Sequence, residues 1–146
     1  MENFFGIDFI PANDSNRLNA LRRYEILDTP PEGAFNKIAE LATKLFNVPV
    51  ALVSLVDEDR VWVKANVGIA GVNELSRGMA PCSMAILQEE VLDFEDTTQS
   101  VCMMRNPLVA GEFGMRFYAG APLKTTDGHN LGTLCIIDKK PKQLTD

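Results

Sequence analysis

Residues 48–64, VPVALVSLVDEDRVWVK, decide the fold. The run at 48–56 is apolar at nearly every position rather than at alternate ones, which indicates a strand covered on both faces. Three consecutive acidic residues at 57–59 then favour a turn over a strand. Residues 60–64 resume with β-branched and aromatic side chains, including Trp62, the only tryptophan. The stretch therefore predicts a hairpin that the rest of the chain covers or extends.

The composition bounds the class of protein. The chain has 146 residues, of which 46% are apolar, and this is enough for one folded domain with a core. No apolar run reaches the roughly 18 residues that a membrane helix needs, and the acidic start lacks the basic segment of a signal peptide. A formal net charge of -6 argues against non-specific nucleic-acid binding. We therefore expect neither a nucleic-acid partner nor a membrane partner.

Three cysteines, Cys82, Cys102 and Cys135, lie far apart in the sequence. They form no C-x-x-C motif, and the single His129 does not complete a zinc site, so we predict no metal. Free thiols fit a reducing, cytoplasmic compartment. Cys82 lies near the start of a predicted short helix, where a thiolate would be favoured. Cys135 lies in a central strand and is interpreted first as a small core residue.

The N-terminal part predicts a leader at residues 1–13, with docked apolar side chains, followed by a single domain at residues 14–146. Asp14 or Ser15 is expected to cap a first helix, and Arg17 is expected to lie away from its apolar stripe. That stripe either packs on its own domain or pairs with a second chain, and the sequence leaves both open. Its members are Leu18, Leu21 and Leu27, with Tyr24 between them.

A second helix is predicted in the segment that follows. Thr29 is expected to cap this helix, Pro30 to take its first position and Glu32 to complete a capping box. Asn47 is expected to end it. Its apolar residues follow helical spacing and should face the sheet. These residues are Phe35, Ile38, Leu41, Ala42 and Leu45.

The later chain predicts three more strands with loop-rich connections. The glycine-bearing segment 66–78 is expected to be a loop, and Asp127-Gly128 a hairpin turn. The start of a further helix at 144–146 suggests a domain cut before its C-terminal helix. A short helix is predicted at 82–88, strands at 91–94, 116–123 and 131–138, and a loop with a helical turn at 95–105.

These elements predict an α+β fold. Its sheet should be mainly antiparallel, because short connections join most of the five predicted strands. The N-terminal helices should cover one face of the sheet. The loop-rich segment 66–114 should cover the other face, which is the place where we expect a cavity.

Nothing in the residue types alone demands catalysis, so the sequence favours a binding or regulatory module over an enzyme. Asp93 and Asp96 flank a strand end and either bind a polar ligand group or cap the next turn. Phe117 and Tyr118 should point to opposite faces, and we place Tyr118 in the cavity because its hydroxyl can serve a ligand. The candidate ligand-binding residues are Trp62, Cys82, Ser83, Asp93, Asp96, Tyr118 and Cys135.

Several blocks in series resemble a bacterial GAF domain, most of all those that precede histidine kinase or diguanylate cyclase domains. The resemblance implies an antiparallel sheet of five or six strands, with helices from both ends of the domain on one face and a small-molecule pocket under short helices and loops on the other. It also implies a sensory or dimerising module without chemistry of its own, linked to an output domain. The blocks are LDTPPE at 27–32, the hairpin stretch extended to 68, NPLV at 106–109, RFYAGAPL at 116–123 and DGHNLGTLCIID at 127–138.

The chain also departs from the pattern of that family. Relatives usually read S-F-C-A-H-A-I where residues 80–86 read APCSMAI, so Met84 replaces a histidine. An arginine and an aromatic residue of a D-x-R-F block are missing at 100–103. These departures predict a more apolar ligand or none, argue against a bilin on Cys82, and leave the cofactor unassigned. The alternative functions are a free methionine sulfoxide reductase that uses pocket cysteines, and a structural spacer.

Overall fold

A six-stranded antiparallel sheet forms the centre of the protein. The computed structural model describes residues 2–30, 32–69 and 71–143. The strands lie in the order β3-β2-β1-β6-β5-β4, which confirms the predicted α+β class and the antiparallel sheet. The elements are α1 (Asp14–Arg23), α2 (Gly33–Phe46), β1 (Val50–Val56), β2 (Arg60–Val67), β3 (Glu74–Ser76), α3 (Cys82–Ala85), β4 (Leu92–Phe94), a 3-10 turn (Thr97–Gln99), α4 (Pro107–Ala110), β5 (Phe117–Lys124) and β6 (Asn130–Asp138).

The predicted hairpin is the core of this sheet. Every residue of β1 is buried, and β1 pairs with β2 on one side and β6 on the other. One correction concerns the segment 66–78, which was predicted to be a loop. It contains the edge strand β3, which pairs with only three residues of β2. A strand this short carries too few residues to show a period of two.

Side chains alternate between two differently covered faces. We call the face that carries Leu52, Tyr118 and Cys135 the cavity face, because loops and short helices cover it. We call the face that carries Phe117 and Ile136 the helical face, because α2 lies on it. Phe117 and Tyr118 thus point to opposite faces, as consecutive strand residues must.

The packing of α2 differs from the prediction. Ala39 and Ala42 are the α2 residues buried against the helical face. The side chains of Ile38, Leu41 and Leu45 were expected there, but they are 47% to 70% exposed. The two alanines let the helix backbone approach the sheet closely, and this turns the larger apolar side chains outward.

The start of α2 also differs from the prediction, because it begins at Gly33 rather than after Thr29. Thr29 and Glu32 do not form a capping box. Instead, the Lys64 ammonium donates to Thr29 Oγ1 at 2.6 Å and to Glu32 Oε1 at 2.9 Å. The Lys64 side chain is fully buried, and a buried cation needs such partners more than a helix end needs its cap.

The first helix begins at Asp14, and Asn13 precedes it as the cap residue. Asp14 does not cap the helix; its carboxylate binds two guanidinium groups, Arg17 at 2.8 Å and Arg77 at 2.7 Å. Arg17 was expected to lie away from the packed stripe, but it is buried. Leu21, a member of the apolar stripe of α1, packs beside Trp62 of its own domain. For this residue, packing within the domain is therefore the correct interpretation, rather than pairing with a second chain.

The chain before α1 is attached to the cavity-face core through Phe5 and Phe9, both of which are buried. The predicted helix start at 144–146 lies outside the described residues. Among the residues described, no helix is long and apolar enough to cross a membrane.

Candidate functional site

A cavity of about 160 Å³ lies between the cavity face and its cover. Its floor is formed by strand residues, and its walls come from the segments around β3, α3 and α4. Apart from two thiols and one phenol, every lining side chain is a hydrocarbon. The lining residues are Leu52, Ile69, Val72, Leu75, Ala80, Pro81, Cys82, Leu108, Phe113, Tyr118, Cys135 and Ile137.

Half-buried side chains line the solvent-facing end of the cavity, which we call its mouth. Ile69 and Val72 come from the loop before β3, and Leu108 and Phe113 come from α4 and the turn after it. The loop before β3 is tied to β2 through the Asn66 side chain, which donates to the carbonyls of Ile69 and Val72 and accepts from the Ile69 N–H. The helix α4 has only four residues. The floor, by contrast, is built on paired central strands.

A cluster of thiols and hydroxyls lies at the floor, centred on Cys82. The Cys82 sulfur lies 4.0 Å from the Cys135 sulfur. It accepts hydrogen bonds from the Ser54 hydroxyl at 3.2 Å and from the Tyr118 hydroxyl at 3.3 Å. Ser54 Oγ also lies 3.1 Å from Thr133 Oγ1 across the β1–β6 pair. All five side chains are buried.

Gly120 determines where the Tyr118 ring lies. A Cβ atom at Gly120 would collide with the Tyr118 hydroxyl and ring carbons, because the ring lies over this glycine along β5. The absent side chain therefore gives the ring the space from which its hydroxyl reaches Cys82.

The hydrogen bonds of this cluster determine which thiol ionises first. The hydrogen bond with Cys135, followed by those with Ser54, Thr133 and Tyr118, lowers the pKa of Cys82 to about 6 although burial opposes ionisation. The hydrogen bond to Cys82, burial and the Cys82 charge raise the pKa of Cys135 well above its ordinary value. Burial first, and then the charges of the two thiols, raise the pKa of Tyr118. Of the two thiols, Cys82 is therefore the one that loses its proton more readily.

The structure places three of the seven candidate residues in the cavity wall, namely Cys82, Tyr118 and Cys135. Ser83 lies next to Cys82 but donates its hydroxyl hydrogen bond to the backbone carbonyl of Arg77. Ligand binding by these residues stays a prediction.

The other three candidates lie away from the cavity. Trp62 packs with Leu21 and Leu55 under α1. Asp93 is exposed on β4 opposite Ala119, a helical-face residue. Asp96 accepts from the backbone N–H of Thr98 and caps the 3-10 turn, which is the alternative that the sequence had left open.

Sequence reasoning missed Ser54 and Thr133. Each is a lone hydroxyl in a strand that is otherwise apolar on both faces, and both are fully buried. A buried hydroxyl needs a hydrogen-bond partner, so these two residues could have marked the polar spot in the floor. The mouth residues give no such signal, because hydrophobic residues in loops are common.

The lining of the cavity limits its chemistry. No Asp, Glu, Lys, Arg or His is among the described lining residues, so a charged or zwitterionic molecule would lose its hydration without gaining an ion pair. In the described part of the chain, no three His, Cys, Asp or Glu side chains come together as a metal site. The cavity suits a small apolar molecule, and of its two thiols Cys82 ionises more readily.

Comparison with known sequences identifies a family. The family model described as GAF domain matches residues 30–146. A cyclic di-GMP phosphodiesterase of Pseudomonas aeruginosa is 36% identical over 132 residues, which are 90% of this chain. The chain spans only 22% of the length of that relative.

Comparison with solved structures gives the same fold. The GAF domain of a phosphoenolpyruvate-protein phosphotransferase from Coxiella burnetii superposes with a TM-score of 0.64 at 19% identity, covering 92% of this chain and 84% of that one. A type II free methionine-R-sulfoxide reductase from Thermoplasma acidophilum gives a TM-score of 0.63 at 13% identity, covering 86% and 82%. At these identities the likeness concerns the fold alone.

Proposed function

This chain belongs to the GAF domain family, and we propose that it is a non-catalytic regulatory domain of a cytoplasmic bacterial signalling protein. In this proposal a small apolar molecule enters the cavity, and its presence is passed to an output domain. The observation that carries the proposal is the hydrocarbon-lined cavity under a cover of loops and short helices.

The shape and polarity of the cavity support this ligand class. An engineered dry cavity of about 150 Å³ admits benzene in another protein, so about 160 Å³ is room for a ligand of that size. A molecule in the cavity would lie against Ile69 and Val72. The loop that carries these residues leads into β3, and β3 pairs with β2 of the central hairpin. A rearrangement of the loop would therefore shift β3 and be transmitted to the sheet.

An output domain and a second copy are the proposed partners. The 22% share of the phosphodiesterase relative supports a module that works beside other domains, of the histidine kinase, diguanylate cyclase or phosphodiesterase kind. The exposed Ile38, Leu41 and Leu45 of α2 support a homodimer through this helix, because an apolar stripe on a helix is covered well by a second copy of itself.

The alternative, a free methionine sulfoxide reductase, has support from two cavity cysteines 4.0 Å apart. Its substrate is a free amino acid with one ammonium and one carboxylate, and neither finds a charged partner among the described lining residues. The regulatory proposal is therefore preferred. Incubation with methionine sulfoxide and dithiothreitol should show no turnover that depends on Cys82.

Ligand binding is tested by thermal unfolding of the reduced protein with added benzene. We expect stabilisation that saturates, because a ligand at 100 times its Kd adds about 2.7 kcal/mol. The variant Val72→Phe fills the mouth and should lose the effect, whereas the matched variant Ile38→Phe on α2 should keep it. Absence of stabilisation in the unmodified protein would favour a spacer. Native mass spectrometry of the purified chain would show whether a ligand is retained.

A further inference from the structure

Two buried thiols lie side by side at the floor of the cavity, and reversible ligand binding does not need them. We propose that Cys82 and Cys135 are an oxidation site for small alkyl hydroperoxides, in which Cys82 is oxidised first and Cys135 then closes a disulfide with it. The inference rests on the same cavity as the proposed function. Its test counts thiols rather than ligand stabilisation, so the two proposals can fail separately.

The positions of the two thiols fit such a pair. Their sulfurs are 4.0 Å apart, so an approach of roughly 2 Å makes a disulfide bond. Cys135 is held in β6, a central strand paired on both sides. Cys82 is the first residue of α3, which has only four residues. The approach therefore requires a shift of α3 and not of the sheet.

The surroundings of Cys82 make it the attacking sulfur. Two hydroxyl donors, Ser54 and Tyr118, point at it from 3.2 Å and 3.3 Å, and such bonds stabilise a thiolate. The hydrogen bond to Cys82, burial and the charge on Cys82 make Cys135 the thiol that holds its proton more tightly. Cys102 lies outside the cavity lining and has the Ser100 hydroxyl at 3.2 Å.

The chemistry balances with the hydroperoxide as the only oxidant. The Cys82 thiolate attacks the terminal peroxide oxygen, the O–O bond breaks, and the leaving alkoxide takes a proton to become an alcohol. Cys82 is then a sulfenic acid. The Cys135 sulfur attacks the Cys82 sulfur, the S–O bond breaks, and water leaves with the proton of Cys135. Two thiols have given two electrons, and the hydroperoxide has become one alcohol and one water.

The walls of the cavity select the oxidant. An alkyl hydroperoxide is uncharged, and its alkyl group can be buried against Leu52, Leu108 and Phe113. Hydrogen peroxide has no such group and gains nothing from these walls. A four-carbon hydroperoxide such as tert-butyl hydroperoxide should therefore react with Cys82 faster than hydrogen peroxide does.

The test uses the full chain, one equivalent of tert-butyl hydroperoxide and a thiol count after denaturation. We expect the thiols to fall from three to one per chain, with a peptide map that links Cys82 to Cys135. In Cys135→Ser, dimedone should trap a sulfenic acid on Cys82. The control Cys102→Ser should fall from two thiols to none at the wild-type rate.

Three results would overturn the inference. The first is loss of the Cys102 thiol before the other two, and the second is a Cys82→Ser variant that consumes the oxidant as fast as wild type. The third is hydrogen peroxide reacting at Cys82 as fast as the alkyl hydroperoxide. Should Cys82→Ser or Cys135→Ser not fold, as judged by circular dichroism, the wild-type peptide map and the Cys102→Ser thiol count decide the matter.

Discussion

The two faces of the sheet are covered by different means. The cover of the helical face packs closely on the strands, whereas the cover of the cavity face leaves a space in which a ligand could bind. On the helical face, α2 lies close to the strands through Ala39 and Ala42, and the buried Lys64 fastens the chain before it. On the cavity face, short helices and loops bring large apolar side chains that do not fill the space. A regular helix packs densely against a sheet, whereas an irregular cover leaves room for a ligand.

The largest effect should come from breaking the ion pairs that hold α1. Asp14→Asn removes the carboxylate shared by the buried Arg17 and Arg77. We expect a loss of about 3–5 kcal/mol in the free energy of unfolding, since buried charges are left unpaired. Asp127→Asn, which breaks the exposed pair with Arg23, is the control and should cost less than about 1 kcal/mol. Equal losses in urea unfolding would contradict the comparison.

The Asp14 carboxylate also makes the free energy of unfolding depend on pH. Burial alone would raise the pKa of Asp14, but hydrogen bonds from Arg77 and Arg17 outweigh it and hold the pKa below its ordinary value. The contribution is therefore complete above the ordinary pKa near 3.8 and is lost as the pH falls through the folded value. Urea unfolding at pH 6 and pH 3 should show a larger loss in wild type than in Asp14→Asn, which keeps only the contributions of other carboxylates with lowered pKa values, such as Asp28 and Asp127.

A matched pair of overpacking variants compares the two covers directly. Ala39→Met on the helical face should lose about 1–3 kcal/mol, because the added atoms meet a closely packed sheet. Ala80→Met in the cavity wall should cost less than about 1 kcal/mol, because the cavity accepts a flexible side chain. Chemical unfolding measures both. The reverse order would show that the cavity face is the denser one.

The outer surface of α2 gives a smaller effect, on assembly rather than on folding. Leu45→Glu puts a charge at a residue that is 70% exposed, so folding should be unaffected. If α2 carries the dimer, dissociation should become at least about tenfold easier, or about 1.4 kcal/mol, in analytical ultracentrifugation. As a control, Val101→Glu alters a more exposed residue in the segment that covers the cavity face. This variant should leave the association constant unchanged. A monomeric wild type would remove this role from α2.

The smallest effect concerns one hydroxyl at the cavity floor. Tyr118→Phe removes a donor to the Cys82 sulfur, a bond worth about 0.5–1.5 kcal/mol. The pKa of Cys82, about 6 in the intact cluster, should rise by up to about one unit. The rate of Cys82 modification by methyl methanethiosulfonate against pH, in a Cys102→Ser background, measures this. The control Tyr24→Phe alters an exposed tyrosine, and an equal shift there would refute the link.

The sequence predicted the sheet well, because strands buried on both faces leave a continuous apolar signal. The hairpin around 57–59 and the Asp127-Gly128 turn follow from local chemistry, and both are observed. The face of α2 that packs on the sheet was not predicted correctly from the sequence. An apolar stripe shows that a helix has an apolar side. In α2, however, the small residues Ala39 and Ala42 decide which side meets the sheet.

The candidate site was only partly accessible from the sequence. Cys82 and Cys135 are 53 positions apart, and no local pattern indicates that they meet above one pair of strands. Alternation along β5 put Phe117 and Tyr118 on opposite faces, and the hydroxyl of Tyr118 was the reason to place it in the cavity. Asp93 and Trp62 could not be assigned to a face, because their side depends on the register of β4 and β2 with their neighbours.

Methyl NMR of the reduced chain, labelled at isoleucine and leucine and titrated with benzene, tests most directly whether the cavity face is the binding face. The account predicts shifts for the methyl groups of Ile69, Leu108 and Ile137 around the cavity, and none for Ile38 and Leu45 on α2. Shifts confined to α2, or no shifts at millimolar benzene, would contradict it.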